Sequence, residues 1–119
     1  GCVDFGASRH VARIILASLR YNSQIRAAIN IKYSEEALEA CREMKLGISS
    51  FDRAEEPKNT RTMDWGTAEA IKKYGGVPKV IYDKGGPGKE PMIRLLGTGA
   101  TEVAELAVKL AERIRQKSR

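Results

Sequence analysis

Apolar residues recur along the chain at two spacings, which predict alternating strands and helices. Short apolar runs predict five strands, at Val3–Phe5, Ile25–Lys32, Ile48–Phe51, Val80–Tyr82 and Met92–Leu96. Apolar positions three and four residues apart predict four helices, from Ser8 to Tyr21, from Ser34 to Gly47, from Thr62 or Asp64 to Gly75, and from Ala100 to Gln116. We therefore expect a three-layer α/β fold, with a mixed, mostly parallel sheet of about five strands and helices on both faces.

The connections between these elements refine the expected sheet. No helical pattern separates the strand at Val80–Tyr82 from the strand at Met92–Leu96, so these two should be antiparallel neighbours. The polar run Ala54–Thr62 contains Pro57 and predicts a surface loop. If Met92–Leu96 lies at the edge of the sheet, two copies of the chain could form a homodimer through its unpaired backbone groups.

Composition describes one domain with one core. The chain has 119 residues, of which 42% are hydrophobic and 30% charged, which excludes a disordered protein. No apolar run approaches the roughly 20 residues that span a membrane, and the start lacks a signal-peptide pattern, so a cytoplasmic protein is expected. Cys2 and Cys41 lack the spacing of metal ligands, and we expect both to be free thiols.

The net charge of +6 favours anionic partners, which include nucleic acid, diphosphates and sugar phosphates. The basic residues are spread over the predicted helices and loops, and the aromatic residues do not interleave with them as in RNA-binding surfaces. Small phosphate-bearing molecules are therefore favoured over polymers, and neither nucleic acid nor a membrane is an expected partner.

The turn between the first predicted strand and the first predicted helix offers a seat for phosphate. A helix start has unpaired amide donors and the positive end of the helix dipole. Ser8 suits the N-cap, and Arg9 and His10 place two cationic or proton-carrying side chains beside these amides. His10 could instead be a cap or a surface residue, and Arg9 and Arg13 could decorate an exposed face.

Five motifs in a fixed order carry a resemblance to a known family: Asp4–His10, Phe51–Arg53, Met63–Gly66, Ile81–Asp83 with the glycine loop after it, and Gly88–Arg94. Together they resemble the archaeal-type thiamine-phosphate synthase domain over nearly the whole chain. That domain is commonly fused behind a hydroxymethylpyrimidine phosphate kinase domain, so residues 1–119 are expected to be one domain of a longer polypeptide. Related copies serve as ligand-sensing domains of transcription regulators.

The resemblance implies a transferase reaction. Hydroxymethylpyrimidine diphosphate and hydroxyethylthiazole phosphate would give thiamine phosphate and pyrophosphate, with Mg²⁺ neutralising the diphosphate. His10 matches the histidine to which catalysis is attributed in the family. The residues expected to bind substrate or phosphate are Asp4, Gly6, Ala7, Ser8, Arg9, Arg13, Asp52, Arg53, Asp64, Trp65, Lys84, Lys89 and Glu90. Asp4, Asp52 and Asp64 could bind Mg²⁺ or the aminopyrimidine, which leaves direct metal ligands open.

Several of these residues have simpler interpretations. Trp65 could be a core residue instead of a stacking platform, and Asp64 could be a helix cap. The Gly85–Lys89 segment lacks the spacing of a Walker loop and could be only a turn. The family domain also begins upstream of the first strand, with an arginine to which catalysis is attributed as well, so the fragment could bind ligand without turnover. The alternative function is a non-catalytic sensor of thiamine phosphate or diphosphate.

Overall fold

The structure is a computed structural model that describes residues 14–19, 21–22, 24–58 and 62–117, without the side chains of residues 62–64. Its strands are β1 (Ala27–Lys32), β2 (Ile48–Ser50), β3 (Val80–Asp83) and β4 (Met92–Gly97). Its helices are α1 (residues 14–19), α2 (Glu35–Glu43), α3 (Thr62–Tyr74) and α4 (Ala100–Lys117), with a 3₁₀ turn at Arg53–Glu55. Each predicted element that falls in the described residues is therefore confirmed in type.

The sheet differs from the predicted one in strand number and direction. Its described strands number four, in the order β1-β4-β3-β2, because the fifth predicted strand, Val3–Phe5, lies outside the described residues. Only β2 and β3 are parallel, so the prediction of a mostly parallel sheet is wrong. The physical reason is that β4 returns through the hairpin, enters between β3 and β1, and pairs antiparallel with both.

The position of β4 also corrects the prediction of an exposed edge. β4 is hydrogen-bonded on both sides, with Ile93 opposite Ile31 of β1 and opposite Tyr82 of β3. Its backbone groups are therefore satisfied within the domain and are not free to join two copies. A homodimer through this strand is excluded by that pairing.

Helices cover both faces of the sheet, which confirms the three-layer α/β architecture. Along β4, Ile93 and Leu95 point to one face, while Arg94 and Leu96 point to the other. On the first face α2 and α4 pack against the sheet, and the buried residues of this core include Leu38, Cys41, Val80, Leu95 and Leu110. On the second face α1 and α3 pack against the sheet, and the buried residues of this core include Ile14, Phe51, Ile71, Ile81 and Leu96. The two cores lie on opposite sides of one sheet.

The start of α2 follows the sequence, but its end comes earlier than predicted. Ser34 accepts a hydrogen bond from the Ala37 amide at 3.0 Å, as expected of an N-cap. The helix stops before Gly47 because Lys45 takes a left-handed backbone conformation, with φ of 59°. A Cβ at Gly47 would meet the end of the Tyr74 side chain, which is exposed and would have to move.

Two further expectations are tested in the described residues. Cys41 is a buried free thiol, and burial raises the pKa of that thiol, while Cys2 lies outside the described residues. None of the helices that the structure describes is long and apolar enough to cross a membrane.

Candidate functional site

The parallel strands β2 and β3 end at the same edge of the sheet, and a cleft opens there. Its volume is about 370 Å³. Ligand clefts of α/β proteins form at such carboxyl edges, where loops leave the strands. The residues that line the cleft are Ser50, Phe51, Asp52, Arg53, Glu55, Lys73, Tyr82, Lys84 and Gly85. Three of them are cationic and two are acidic, so the lining has a net positive charge, which suits an anionic ligand.

A buried carboxylate organises the inner wall of this edge. Asp83, the last residue of β3, is fully buried. One of its oxygens accepts hydrogen bonds from Arg53 Nε at 2.7 Å and from the Gly85 amide at 2.8 Å. The other accepts from Arg94 Nη2 at 2.6 Å. We call Arg53, Asp83 and Arg94 the buried charge cluster.

The buried charge cluster carries more positive than negative charge. Burial alone would raise the pKa of Asp83, but hydrogen bonding by Arg53 and the charge of Arg94 outweigh it and hold that pKa below its usual value. Burial lowers the pKa of Arg94, and Asp83 counteracts this, so the guanidinium stays charged. Two guanidinium groups against one carboxylate leave one net positive charge, which favours binding of an anion nearby.

The guanidinium of Arg94 lies over one aromatic ring, which packs against a second ring. The side chain of Arg94 is 2% exposed, and its guanidinium lies 5.1 Å from the centre of the Phe51 ring. Phe51 in turn meets Trp65 edge to face, with ring centres 6.1 Å apart. Within the described residues, five buried polar atoms have no hydrogen-bond partner: Arg94 Nε, Arg94 Nη1, Asn30 Oδ1, Ser18 Oγ and Thr67 Oγ1. Such atoms are rare in folded proteins.

The glycine loop between β3 and β4 is a tight hairpin turn. Gly86 and Lys89 exchange both backbone hydrogen bonds, at 3.1 and 2.9 Å. Pro87 followed by Gly88 with φ of 69° fits a type II turn. Gly85, with φ of 75°, passes so close to the Lys89 carbonyl that a Cβ would collide with it. The loop therefore has a defined backbone conformation at the rim of the cleft.

Gly85→Ala should cost more stability than Gly88→Ala. Both residues have positive φ, which costs about 1 to 2 kcal/mol for a residue with a Cβ. Only at Gly85 does the new Cβ also meet backbone atoms, whereas nothing lies within 4 Å at Gly88. We expect a loss of about 2 to 3 kcal/mol against about 1, measured by urea unfolding. Equal losses would contradict the crowding at Gly85.

The structure brings some of the predicted site residues together and not others. Asp52, Arg53 and Lys84 line the cleft, and Trp65 adjoins it through Phe51. Lys89 and Glu90 are exposed on the hairpin and do not line the cleft, although Lys89 Nζ lies 3.7 Å from Glu56. The predicted residues outside the described part are Asp4, Gly6, Ala7, Ser8, Arg9, His10 and Arg13. Asp64 lies in α3, but its side chain is not described.

Sequence reasoning gave no role to Asp83, Arg94 or Asn30. The available signal was the position of an ionisable residue inside an apolar strand. Arg94 stands in the middle of Met92–Gly97, and Asp83 directly follows three strand residues. A charge in a run that must be buried predicts a paired or ligand-binding group.

The thiamine-phosphate synthase ThiN family model matches residues 1–109. This chain belongs to the ThiN family. It is 53% identical over 105 residues to the bifunctional thiamine biosynthesis protein ThiDN of Methanocaldococcus jannaschii, a match that covers 88% of this chain and 25% of ThiDN. It is 44% identical over 112 residues to thiamine-phosphate synthase ThiN of Methanothermobacter thermautotrophicus, covering 90% of this chain and 59% of that protein.

Solved structures agree with the family. The C-terminal domain of protein MJ0236 has a TM-score of 0.88 and 48% identity, and the match covers 100% of this ThiN-family chain and 65% of that one. The C-terminal domain of a phosphomethylpyrimidine kinase has a TM-score of 0.79 and 41% identity, over 92% of this chain and 65% of that one. This chain thus spans a quarter to about three fifths of the curated relatives. Both are named as biosynthetic proteins and neither as a regulator.

Proposed function

We propose that this chain is a thiamine-phosphate synthase domain, which joins hydroxymethylpyrimidine diphosphate to hydroxyethylthiazole phosphate. The family match over residues 1–109 supports this assignment. The observation that carries it in the structure is the buried charge cluster, because its net positive charge lies beside a cleft at the edge where β2 and β3 end. A substrate that must release a diphosphate requires positive charge at that place.

In the proposed reaction, the thiazole ring nitrogen attacks the methylene carbon next to the pyrimidine ring. A carbon–nitrogen bond forms, the carbon–oxygen bond breaks, and its electron pair leaves with the diphosphate. Arg53 and Lys84 line the cleft and would neutralise the charge that develops on the leaving oxygen. His10, as the family resemblance implies, would donate a hydrogen bond or a proton to the departing diphosphate.

The residues present fit a Mg²⁺ ion that enters with the diphosphate. No group of three histidine, cysteine, aspartate or glutamate side chains forms a metal site in the part of the chain that the structure describes. Mg²⁺ commonly binds through substrate phosphates and one or two carboxylates. Asp52 and Glu55 both line the cleft and are exposed, so they are the described carboxylates placed to contact such an ion, which would neutralise diphosphate charge.

We also propose that the domain works within a longer cytoplasmic polypeptide that carries a hydroxymethylpyrimidine phosphate kinase domain. ThiDN is named as bifunctional, and one structural relative is the C-terminal domain of a phosphomethylpyrimidine kinase. A kinase domain in the same chain would supply the diphosphate substrate. The partners of the synthase domain would then be small phosphorylated molecules.

Thiamine phosphate formation tests the proposed function directly. The purified chain with both substrates and Mg²⁺ should release thiamine phosphate and pyrophosphate in equal amounts, measured by chromatography. His10→Asn should lower turnover about 100-fold or more, which is the usual contribution of a general acid. Its affinity for thiamine phosphate in calorimetry should stay within about twofold, because the product has no leaving group left to protonate.

The possible results bear separately on the proposed function and on the role of His10. A wild-type chain that neither forms nor binds thiamine phosphate would contradict the function. Equal turnover in His10→Asn and wild type would remove His10 from the reaction while leaving the function intact. A chain that binds thiamine phosphate without turnover would support a product site in a domain that needs the rest of its polypeptide.

A further inference from the structure

Two polar residues stand opposite each other in the sheet with atoms left unpaired. The register of β1 and β4 places Asn30 directly across from Arg94. Directly opposite residues of neighbouring strands point to the same face, here the face that α1 and α3 cover. Within the described residues, Asn30 Oδ1 and Arg94 Nε and Nη1 are buried and have no hydrogen-bond partner. They do not bond to each other either.

The unpaired atoms are two hydrogen-bond donors on Arg94 and one acceptor on Asn30. Arginine only donates hydrogen bonds, and a carbonyl oxygen of an amide only accepts them. Leaving both unpaired in a buried place costs stability, and the cost is larger for a charged group. Arg94 cannot turn freely to relieve this, because Asp83 holds Nη2 at 2.6 Å and Phe51 lies under the guanidinium. The Arg94 guanidinium is therefore held in position before any ligand arrives.

A flat ring with an acceptor atom next to a donor group would satisfy both residues. Phe51 lies beside Arg94, and Trp65, which contacts Phe51 and is half-buried, provides apolar surface for a ring. A phosphate would satisfy Arg94 alone, since its oxygens accept and would leave the Asn30 oxygen without a donor. Asn30 and Trp65 are each only half-buried, so the cluster has a side toward the surface.

Building on the proposed function, we propose that Arg94 and Asn30 recognise the aminopyrimidine ring of the substrate. Arg94 donates to the ring nitrogen, and Asn30 Oδ1 accepts from the neighbouring amino group. Asp83 bonds to Arg94 inside the fold and to Arg53 at the cleft, so one carboxylate positions a residue for each end of the substrate. The ring points inward, and the diphosphate points outward to the cleft.

Ligand analogues test this proposal on the unaltered chain. In oxythiamine phosphate an oxygen replaces the amino group, and the neighbouring ring nitrogen carries a hydrogen. Arg94 would then face a donor, which it cannot bind. We expect oxythiamine phosphate to bind at least about tenfold more weakly than thiamine phosphate in calorimetry, a ratio equivalent to 1.4 kcal/mol. Equal affinities would overturn the proposal.

A variant pair separates recognition from folding. Asn30→Leu should lower affinity for thiamine phosphate about tenfold and reduce its preference over oxythiamine phosphate, while affinity for thiazole phosphate stays unchanged. Asn22→Leu, at an exposed asparagine outside the sheet, is the control and should change neither. Two results in a folded Asn30→Leu would overturn the proposal. One is an unchanged preference for thiamine phosphate over oxythiamine phosphate, and the other is an equal loss of affinity for thiamine phosphate and for thiazole phosphate. If Asn30→Leu does not fold, the analogue comparison decides.

The outcomes also separate this inference from the proposed function. A wild-type chain that binds thiamine phosphate but does not discriminate against oxythiamine phosphate would retain the function and lose the ring site. A wild-type chain that binds no thiamine compound would lose both.

Discussion

Asp83→Asn is expected to lower the free energy of unfolding by about 3 to 5 kcal/mol, the usual cost of removing one partner from a buried ion pair. Asparagine has the same shape, so the loss reports charge and hydrogen bonding more than packing. Without the carboxylate, the guanidinium of Arg94 stays buried with no opposite charge. Asparagine keeps one acceptor oxygen, so its amino group must face either Arg94 on one side or Arg53 and the Gly85 amide on the other. Urea unfolding at neutral pH measures the change.

Glu39→Gln is the matched control for that substitution. Glu39 pairs with Arg42 at 3.2 Å on the exposed side of α2, where both side chains are about half exposed to solvent. Exposed pairs of this kind contribute at most about 1 kcal/mol. A loss at Asp83→Asn no larger than the loss at Glu39→Gln would show that the buried charge cluster does not stabilise the fold.

The pH dependence of unfolding gives the same experiment an independent measure. The pKa of Asp83 is lowered in the folded chain, so the folded state binds this proton less readily than the unfolded state. The stabilisation is therefore present above the unfolded pKa, near 4, and is lost as the pH falls through the folded pKa. The wild-type chain should lose stability over that acid range more steeply than Asp83→Asn, which has no carboxyl group there.

Arg53→Ala should lower kcat/KM for thiamine phosphate synthesis about 100-fold or more, the usual effect of removing one group that stabilises developing charge. Arg53 lines the cleft, and Asp83 holds its Nε, which leaves the two terminal nitrogens for the diphosphate. Its side chain is 13% exposed, so the cation acts where solvent screening is weak. Steady-state kinetics with both substrates measures the effect.

The inhibition constant of pyrophosphate shows whether Arg53 acts on the leaving group. It should rise in Arg53→Ala together with the loss of kcat/KM, and Arg53→Lys should recover part of both by restoring the charge. Arg42→Ala, which removes an exposed arginine of α2, is the control and should leave both constants unchanged. Unaltered pyrophosphate inhibition in a folded Arg53→Ala would place Arg53 outside the diphosphate site.

The sequence predicted the helices and strands well because their patterns are local. Ser34 caps α2 as its side chain and the following glutamates suggested, and the apolar stripe of α4 buries Val103 and Leu110. It did not predict the direction of the sheet, because pairing of β1 with β4 joins residues far apart in the chain. A hairpin pattern fixes only that β3 and β4 are neighbours, and the strand on the other side of β4 has no local signal.

The family motifs predicted several of the residues that line the cleft. They gave no role to the residues behind it, Asp83, Arg94 and Asn30. Asp52, Arg53 and Lys84 follow strand ends, where composition and position both suggest ligand contact. Asn30 has no such signal, because an asparagine in a strand looks like any polar residue on an exposed face. Its importance comes from the register that places it across from Arg94, which only the paired sheet shows.

The central place of β4 has a consequence for synthesis of the chain on the ribosome. β1 begins at Ala27, but its described partner β4 is the last of the described strands in chain order, with Ala27 opposite Gly97. Until that strand emerges, β1 lacks this neighbour and β3 lacks one on that side, so an incomplete chain exposes backbone that can pair with other molecules. Nascent chains that stop before Met92 should therefore depend on chaperones, and folding should be completed only when both β4 and the following α4, which buries Val103 and Leu110 in the first core, have emerged.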